Sequence, residues 1–179
     1  DVCSSDLKRF GIDVWSHPEA NYFLYQDKLG ELTAPLLNAK ASEVTVCTNT
    51  TINIHKALAT FYTPTPERYK IIVDDLNFPT DRYAVDSQVK LRGYDPSEAV
   101  KVVESRDGKN IFEDDMIEAM TDDVSLILLP SVLYRSSYLV DMKKIADAAK
   151  ERGIFVGFDL SHSIGSVPHD FADIQPDFA

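Results

Sequence analysis

The sequence has few cysteines, no long apolar run and no excess of basic charge. Its 179 residues include 2 cysteines, which form no CxxC pair, so neither a disulfide scaffold nor a zinc site is indicated. No apolar run approaches the roughly 18 residues of a membrane span. Lysine and arginine number 18 against 29 acidic residues, a net charge of −11, and the basic residues are scattered. We therefore expect a cytoplasmic protein that binds neither nucleic acid nor membrane.

Motifs for metal and nucleotide binding are also missing. The sequence has no HExxH or EF-hand spacing and no P-loop lysine with a glycine-rich run. Acidic pairs at 74–75, 114–115 and 122–123 flank predicted helices and strands, where we interpret them as solvated ends and caps. We therefore expect no metal site.

From about residue 43 the chain alternates short apolar runs with longer amphipathic ones. This pattern is typical of a parallel sheet covered by helices, so the sequence predicts an α/β fold, as one domain or part of one. The predicted strands are 43–48, 70–74, 100–104, 125–130 and 154–159. The predicted helices are 51–62, 79–91, 112–120 and 140–152.

Hydroxyl and aromatic side chains follow the first two predicted strands. Thr50 and Thr51 stand at the start of a predicted helix, where free N–H groups and two hydroxyls can bind an anion such as phosphate. A simple helix cap would use the same threonines. Phe78 follows strand 70–74 and is either exposed in the crevice or a core residue. Asp81 lies in the next helical turn, where it can also compensate the helix dipole.

An aspartate and a histidine follow the last predicted strand. Asp159 ends an apolar run and precedes His162 by three residues. In open α/β folds ligands bind beyond the carboxyl ends of the strands, so we expect the Asp159 carboxylate to enter that crevice. The alternative is that Asp159 caps a following helix and that His162 is a hydrogen-bonded histidine at its start. Together the three strand ends suit a phosphorylated aromatic heterocycle.

Several segments resemble the kynureninase family, whose members are pyridoxal 5′-phosphate (PLP) enzymes of fold type I. They are Asn49-Thr-Thr-Ile-Asn-Ile-His55, Phe78-Pro-Thr-Asp81 with Tyr83-Ala-Val-Asp-Ser-Gln88, Tyr134-Arg-Ser-Ser, and Val156-Gly-Phe-Asp-Leu-Ser-His162-Ser-Ile-Gly165. The resemblance covers residues 40–170, and the FPTD and GFDLSH strings are fairly specific in combination. It implies the large domain of the PLP-dependent transferases of fold type I, with a mainly parallel sheet and flanking helices.

The resemblance also implies roles for individual residues. Thr50 and Thr51 would hold the cofactor phosphate, and Phe78 would stack on the pyridine ring. Asp81 would help to fix the ring and its substituents. Asp159 would pair with the ring nitrogen, because an ionised carboxylate there favours the protonated ring that withdraws electrons.

Two further contacts are implied at the same site. His162 would lie near the phenolic edge of the cofactor. The family places a small polar residue against the cofactor where this sequence has Pro130, so Ser131 would have to serve instead.

By the same resemblance, the full-length protein would hydrolyse L-kynurenine or 3-hydroxykynurenine to an anthranilate and L-alanine, in tryptophan catabolism, and would act as a homodimer. The family's Schiff-base lysine is expected beyond Ala179, since Lys143, Lys144 and Lys150 belong to a helix outside the sheet. We therefore expect no catalytic residue in this chain and predict that it is inactive alone. We interpret residues 8–179 as an incomplete large domain and residues 1–7 as a non-native leader.

Two alternatives stay open. Another class-V aminotransferase-like enzyme, such as a transaminase or a cysteine desulfurase, shares the Asp-x-x-His arrangement, although the FPTD string argues against it. A non-catalytic α/β binding module would instead use Thr50 and Thr51 as helix caps and Phe78 and Asp159 as structural residues.

Overall fold

The computed structural model describes residues 2–179, which divide into two compact units, one up to Cys47 and one from Thr48 to Ala179. Among these residues no helix has the length and apolar character needed to cross a membrane. Each unit is described by itself below.

The first unit is helical. It contains α1 (Val2–Phe10) and α2 (Tyr25–Thr33). Short 3-10 turns cover Gly11–Trp15, Tyr22–Leu24, Ala34–Leu36 and Ala41–Glu43. Residues 2–7, which the sequence predicts to be a leader, thus lie in α1. Because foreign and native segments can both form helices, the leader stays a prediction.

The predicted strand 43–48 is wrong. A 3-10 turn occupies Ala41–Glu43, and residues 44–47 join no sheet ladder in the described part of the chain. The backbone is extended at Val44, but a side chain takes the place of a neighbouring strand: Gln26 Nε2 donates to Thr45 Oγ1 at 2.8 Å and to the Val46 carbonyl at 3.0 Å. The apolar alternation of this segment therefore reflects an extended connection.

The second unit is built on a four-stranded sheet. Its strands are β1 (Lys70–Asp74), β2 (Val100–Val103), β3 (Val124–Pro130) and β4 (Phe155–Asp159). The order is β2-β1-β3-β4, and every neighbouring pair is parallel. The predictions for these four strands are confirmed, one of them without change and three with one residue's difference at an end. The parallel α/β class is confirmed as well.

The predicted helices of this unit are also confirmed, 79–91 without change and the other three with shifted ends. The observed helices are α3 (Thr50–Phe61), α4 (Pro79–Leu91), α5 (Pro96–Ala99), α6 (Glu113–Glu118), α7 (Met142–Glu151) and α8 (Phe171–Ile174). Helix α4 begins at Pro79 as predicted, because proline suits the first helical turn, where no N–H is needed. Helices α5 and α8 were not predicted, since four residues are too few to show a helical period.

The core forms where α3 and α4 cover one face of the sheet. Ile71 and Val73 of β1 lie in one apolar cluster with Leu126 and Leu128 of β3 and with residues such as Leu58 of α3. Ile72 and Ile127, which alternate with them along the strands, are also fully buried and point to the opposite face. Burial on both faces explains why these strands read as continuous apolar runs, and it leaves the strand ends as the place for polar side chains.

Candidate active site

The carboxyl ends of β1, β3 and β4 lie side by side at one edge of the sheet, because the strands are parallel and β3 separates the other two. The N-termini of α3 and α4 follow the same edge. We call the residues gathered here the strand-end site. It contains all the predicted site residues, namely Thr50, Thr51, Phe78, Asp81, Ser131, Asp159 and His162.

The hydroxyl end of the site begins α3. Asn49 is the helix cap, since its Oδ1 accepts the Ile52 N–H at 3.0 Å, so the threonine cap considered from the sequence is wrong. Thr50 is exposed, and its Oγ1 lies 3.2 Å from Ser161 Oγ in the turn after β4. Thr51 is half-buried and joins the site through its place beside Thr50. With the cap supplied by Asn49, the Thr50 hydroxyl stays available at the positive end of a helix dipole.

Asp81 and Asp159 form a pair of carboxyl groups. Asp81 is 2% exposed, and no N–H or hydroxyl donor in the described part of the chain reaches its Oδ2. Burial, and then the neighbouring charge and hydrogen bond of Asp159, raise the pKa of Asp81 to about 7. Two adjacent carboxylates repel each other, so the pair either shares a proton or binds a cationic group.

Asp159 is held by the turn that follows it. Its Oδ1 accepts the Ser161 N–H at 2.8 Å and the Ser161 hydroxyl at 2.6 Å. Residues 161–166 form turns rather than a helix, so the interpretation of Asp159 as a helix cap, with His162 at the helix start, is wrong. The carboxylate is therefore fixed at the edge of the sheet, next to Asp81.

Asp74 is a third carboxyl group at this edge, which the sequence interpretation of pair 74–75 as a solvated end missed. It is 6% exposed; its Oδ1 accepts the Leu76 N–H at 2.9 Å, while Oδ2 has no partner among the described residues. Burial, with a smaller effect of Asp75, raises the pKa of Asp74 to about 6. The negative charge of Asp74 also contributes to the raised pKa of Asp81. In the sequence, the burial of Asp74 was indicated by its position at the end of an apolar strand.

Aromatic side chains line the open part of the site. Phe78 is 43% exposed, so its interpretation as a core residue is wrong. Its ring centroid lies 5.3 Å from that of Tyr134, in an edge-on contact, and Tyr134 in turn lies 6.1 Å from His162. Tyr134 was part of a recognised motif but had no predicted role. The three rings therefore form a continuous row among the segments that follow β1, β3 and β4.

Ser131 directly follows the last residue of β3. It is fully buried, and its hydroxyl lies 3.0 Å from the Asp159 carbonyl and 2.6 Å from the hydroxyl of Ser163. The Ser131 N–H also donates to the Asp159 carbonyl, at 2.9 Å. Ser131 therefore supports the backbone that carries Asp159.

The lysines of α7 are engaged elsewhere. Lys143 pairs with Asp147 at 2.5 Å and Lys144 with Asp114 at 2.7 Å. Lys150 Nζ donates to the side-chain oxygen of Gln175 at 3.0 Å. These contacts hold the three amines apart from the strand-end site.

A family model described as aminotransferase class-V matches residues 21–179. Among curated proteins, the kynureninase of Bacillus anthracis is 55% identical over 172 residues, which are 96% of this chain and 40% of that protein. The kynureninase of Geobacillus thermodenitrificans is 45% identical over 97% of this chain and 41% of its own length. The chain thus spans about two fifths of the length of these relatives.

Solved structures show the same fold at low identity. A cystine C–S lyase in complex with cysteine persulfide has a TM-score of 0.82 at 17% identity, over 99% of this chain and 47% of that one. The cysteine desulfurase CsdA of Escherichia coli has a TM-score of 0.75 at 17% identity, over 99% of this chain and 46% of that one. At this identity the likeness concerns the fold alone.

Proposed function

Since this chain belongs to the class-V aminotransferase family, we propose that it supplies the cofactor-binding part of a protein that uses PLP to hydrolyse L-kynurenine to anthranilate and L-alanine. The observation that carries this proposal is the 55% identity to a kynureninase along 96% of the chain. The 3-hydroxy form of the substrate would pass through the same chemistry. The FPTD and GFDLSH strings lie in the strand-end site, which links the likeness to the chemistry.

The residues present suit three groups of the cofactor, namely its ring nitrogen, its ring face and its phosphate. Among the described residues no cation pairs with the carboxyl groups of Asp81 and Asp159, and a protonated ring nitrogen would supply one. The half-exposed ring of Phe78 offers a flat surface for stacking. The N-terminus of α3, with the Thr50 and Thr51 hydroxyls, suits a phosphate.

Bound PLP would supply an electron sink for the carbanion that forms beside the substrate amino group. Asp159 would hold the proton on the ring nitrogen, and the turn at Ser161 fixes the direction of its carboxylate. Asp81 would add a second negative charge next to the Asp159 carboxylate. Phe78 would shield one ring face from water, and His162 would stand at the phenolic edge.

We also propose that the full-length protein is a cytoplasmic homodimer. Seven large apolar side chains in the described part of the first unit are about half exposed or more, which is unusual for a surface that meets only water. They are Leu7, Ile12, Trp15, Phe23, Leu24, Leu32 and Leu36. The free thiol of Cys47 suits a reducing compartment.

The test is fluorescence detection of anthranilate after L-kynurenine is added to the full-length protein reconstituted with PLP. The variant Asp159→Asn keeps the shape of the side chain and removes its charge, so we expect it to lower kcat by about 10²-fold. Asp147→Asn, on the exposed face of α7, is the matched control and should keep full activity.

Other results would redirect the proposal. Cofactor absorbance that amino acids perturb, without anthranilate release, would favour a transaminase or a desulfurase of the same family. Failure of the full-length protein to bind PLP at all would contradict the proposed function, and an Asp159→Asn variant with normal turnover would contradict the role of Asp159.

A further inference from the structure

A chain of buried polar groups connects His169 to the backbone of Asp159. His169 Nε2 lies 2.9 Å from Ser163 Oγ, which lies 2.6 Å from Ser131 Oγ, which lies 3.0 Å from the Asp159 carbonyl oxygen. Ser131 and Ser163 are fully buried and His169 is 7% exposed. We call these three side chains the hydroxyl chain.

The hydroxyl chain has a limited number of protons, which restricts the directions in which its hydrogen bonds can run. Each serine hydroxyl has one proton to donate, and the Asp159 carbonyl can only accept. If Ser131 donates to that carbonyl, the 2.6 Å contact must use the Ser163 proton, and Ser163 must then accept from His169 Nε2–H. In this order every group of the chain is satisfied.

The opposite order leaves the carbonyl without its hydroxyl partner. If His169 Nε2 carries a lone pair, it takes the Ser163 proton, and the 2.6 Å contact then needs the proton of Ser131. The Leu160 carbonyl, 3.3 Å from Ser163 Oγ, competes for the Ser163 proton with the same consequence for Ser131. The tautomer of His169 therefore decides whether the Ser131 hydroxyl adds a second hydrogen bond to the one that the Ser131 N–H already donates to the Asp159 carbonyl.

We propose that His169 is a positioning residue of the strand-end site, whose Nε2–H tautomer orders the hydroxyl chain so that the Ser131 hydroxyl donates to the Asp159 carbonyl and further restrains the backbone that carries the carboxylate. This inference rests on the proposed function for its consequence, since Asp159 is the residue that would face the ring nitrogen. Burial lowers the pKa of His169, so the neutral ring has a single N–H whose position matters at pH 7.

The first measurement is the tautomer itself. In full-length protein labelled with ¹⁵N-histidine, we expect the His169 nitrogen shifts of an Nε2–H ring, with and without PLP. An Nδ1–H ring would overturn the proposal. This measurement stays decisive if the protein neither binds PLP nor cleaves kynurenine, in which case the proposed function fails separately.

The second measurement compares variants of the PLP-loaded protein. His169→Leu removes the donor, and we expect a kcat lower by about 10-fold, weaker PLP binding and an altered cofactor absorbance band, because Asp159 loses its fixed position. His169→Gln restores an N–H donor and should return each value to within about 2-fold of the wild type. Phe171→Leu, which changes the ring beside His169 without touching the hydroxyl chain, is the packing control.

The outcomes separate positioning from mere packing. Rescue by glutamine with a silent Phe171→Leu variant supports the proposal. A glutamine variant as impaired as the leucine variant, or a leucine variant like the wild type, overturns it. Should His169→Leu not fold, Ser131→Ala removes the hydroxyl that donates to the Asp159 carbonyl with a smaller change, and unaltered cofactor absorbance and turnover in that variant would also overturn the proposal.

Discussion

Three carboxyl groups stand at the ends of β1, α4 and β4, and two of them are buried where charge is costly. The pKa of Asp74 is raised to about 6 and that of Asp81 to about 7, in both cases chiefly by burial. Each raised value means that the folded state holds a proton that the unfolded state has already released. Such residues weaken the fold at neutral pH, which is expected where a site is built for binding rather than for stability.

The substitution Asp74→Asn should stabilise the protein in a pH-dependent way. An unfolded aspartate titrates near 3.8 and the folded one near 6, so the free energy of unfolding falls as pH rises through this window and stays lower above it. Two pKa units correspond to about 3 kcal/mol. Asparagine still accepts the Leu76 N–H, so we expect a gain of about 1–3 kcal/mol at pH 8 and almost none at pH 4.

Urea unfolding of the full-length protein at the two pH values measures this gain. Asp122→Asn is the control, because Asp122 is exposed and is not among the groups that raise the pKa of Asp74. Equal stabilisation at pH 4 and pH 8 would show that the charge of Asp74 is not the cause.

The pair of Asp81 and Asp159 gives a second prediction. Burial is the largest cause of the raised pKa of Asp81, and Asp159 is the next. In Asp159→Asn, the Asp81 midpoint should therefore fall below about 7 yet stay above 3.8. Carboxyl ¹³C shifts of labelled aspartate, recorded without PLP, measure it. A midpoint that does not move would mean that the two carboxyl groups are not in contact.

At the scale of elements, residues 177–178 run alongside β4. The Asp177 N–H donates to the Val156 carbonyl at 2.9 Å, and the Phe178 carbonyl accepts the Phe158 N–H at 3.2 Å. A Cβ atom on Gly157 would lie 2.1 Å from the Phe178 ring. Because β4 ends in Asp159, this contact bears on the active site as well as on the sheet.

The substitution Gly157→Ala should therefore destabilise the protein strongly. The Phe178 ring must leave its place, and we expect a loss of about 2–4 kcal/mol in the free energy of unfolding. In a Phe178→Ala background the clash is absent, so the same glycine substitution should cost less than about 1 kcal/mol. Chemical denaturation of the four proteins of this double-mutant cycle measures the coupling, and additive effects would contradict the contact.

The sequence predicts an element well where its residue pattern is compatible with only one kind of secondary structure. Strand 70–74 is a short apolar run buried on both faces, and Pro79 marks the start of α4. The segment 43–48 shows a similar pattern, but the bonds from Gln26 that hold it come from far along the chain, and no local pattern predicts them. The strand ends could be placed from periodicity, and the residues there from motifs.

The finer geometry of the site was beyond local patterns. Phe78 packs edge-on against Tyr134, which follows a different strand. The burial of Asp74 and the contact between Asp81 and Asp159 depend on how α4 and β4 meet at the edge of the sheet. Pairings of this kind arise from tertiary structure, so the sequence could name the residues without giving their ionisation.

At the scale of the whole molecule, the two units differ in the burial of their apolar side chains. The second unit buries them on both faces of a sheet. In the first unit Phe23 is 73% exposed and Leu32 68% exposed, and the Phe23 ring lies 5.6 Å from that of Trp15, which is itself half exposed. Such a surface is typical of an interface between subunits, whose centre is depleted of charge and rich in aromatic residues.

If the full-length protein is the homodimer proposed above, the double substitution Phe23→Glu with Leu32→Glu should dissociate it. Carboxylates placed in an apolar interface lose their hydration without gaining a partner, so we expect the dimer dissociation constant to rise at least about 10²-fold. Leu91→Glu is the matched control, because Leu91 is 74% exposed at the end of α4 in the second unit. Sedimentation velocity over a range of concentrations separates the two forms. A monomeric wild type, or a double variant that sediments as the wild-type dimer, would show that this surface does not join two copies.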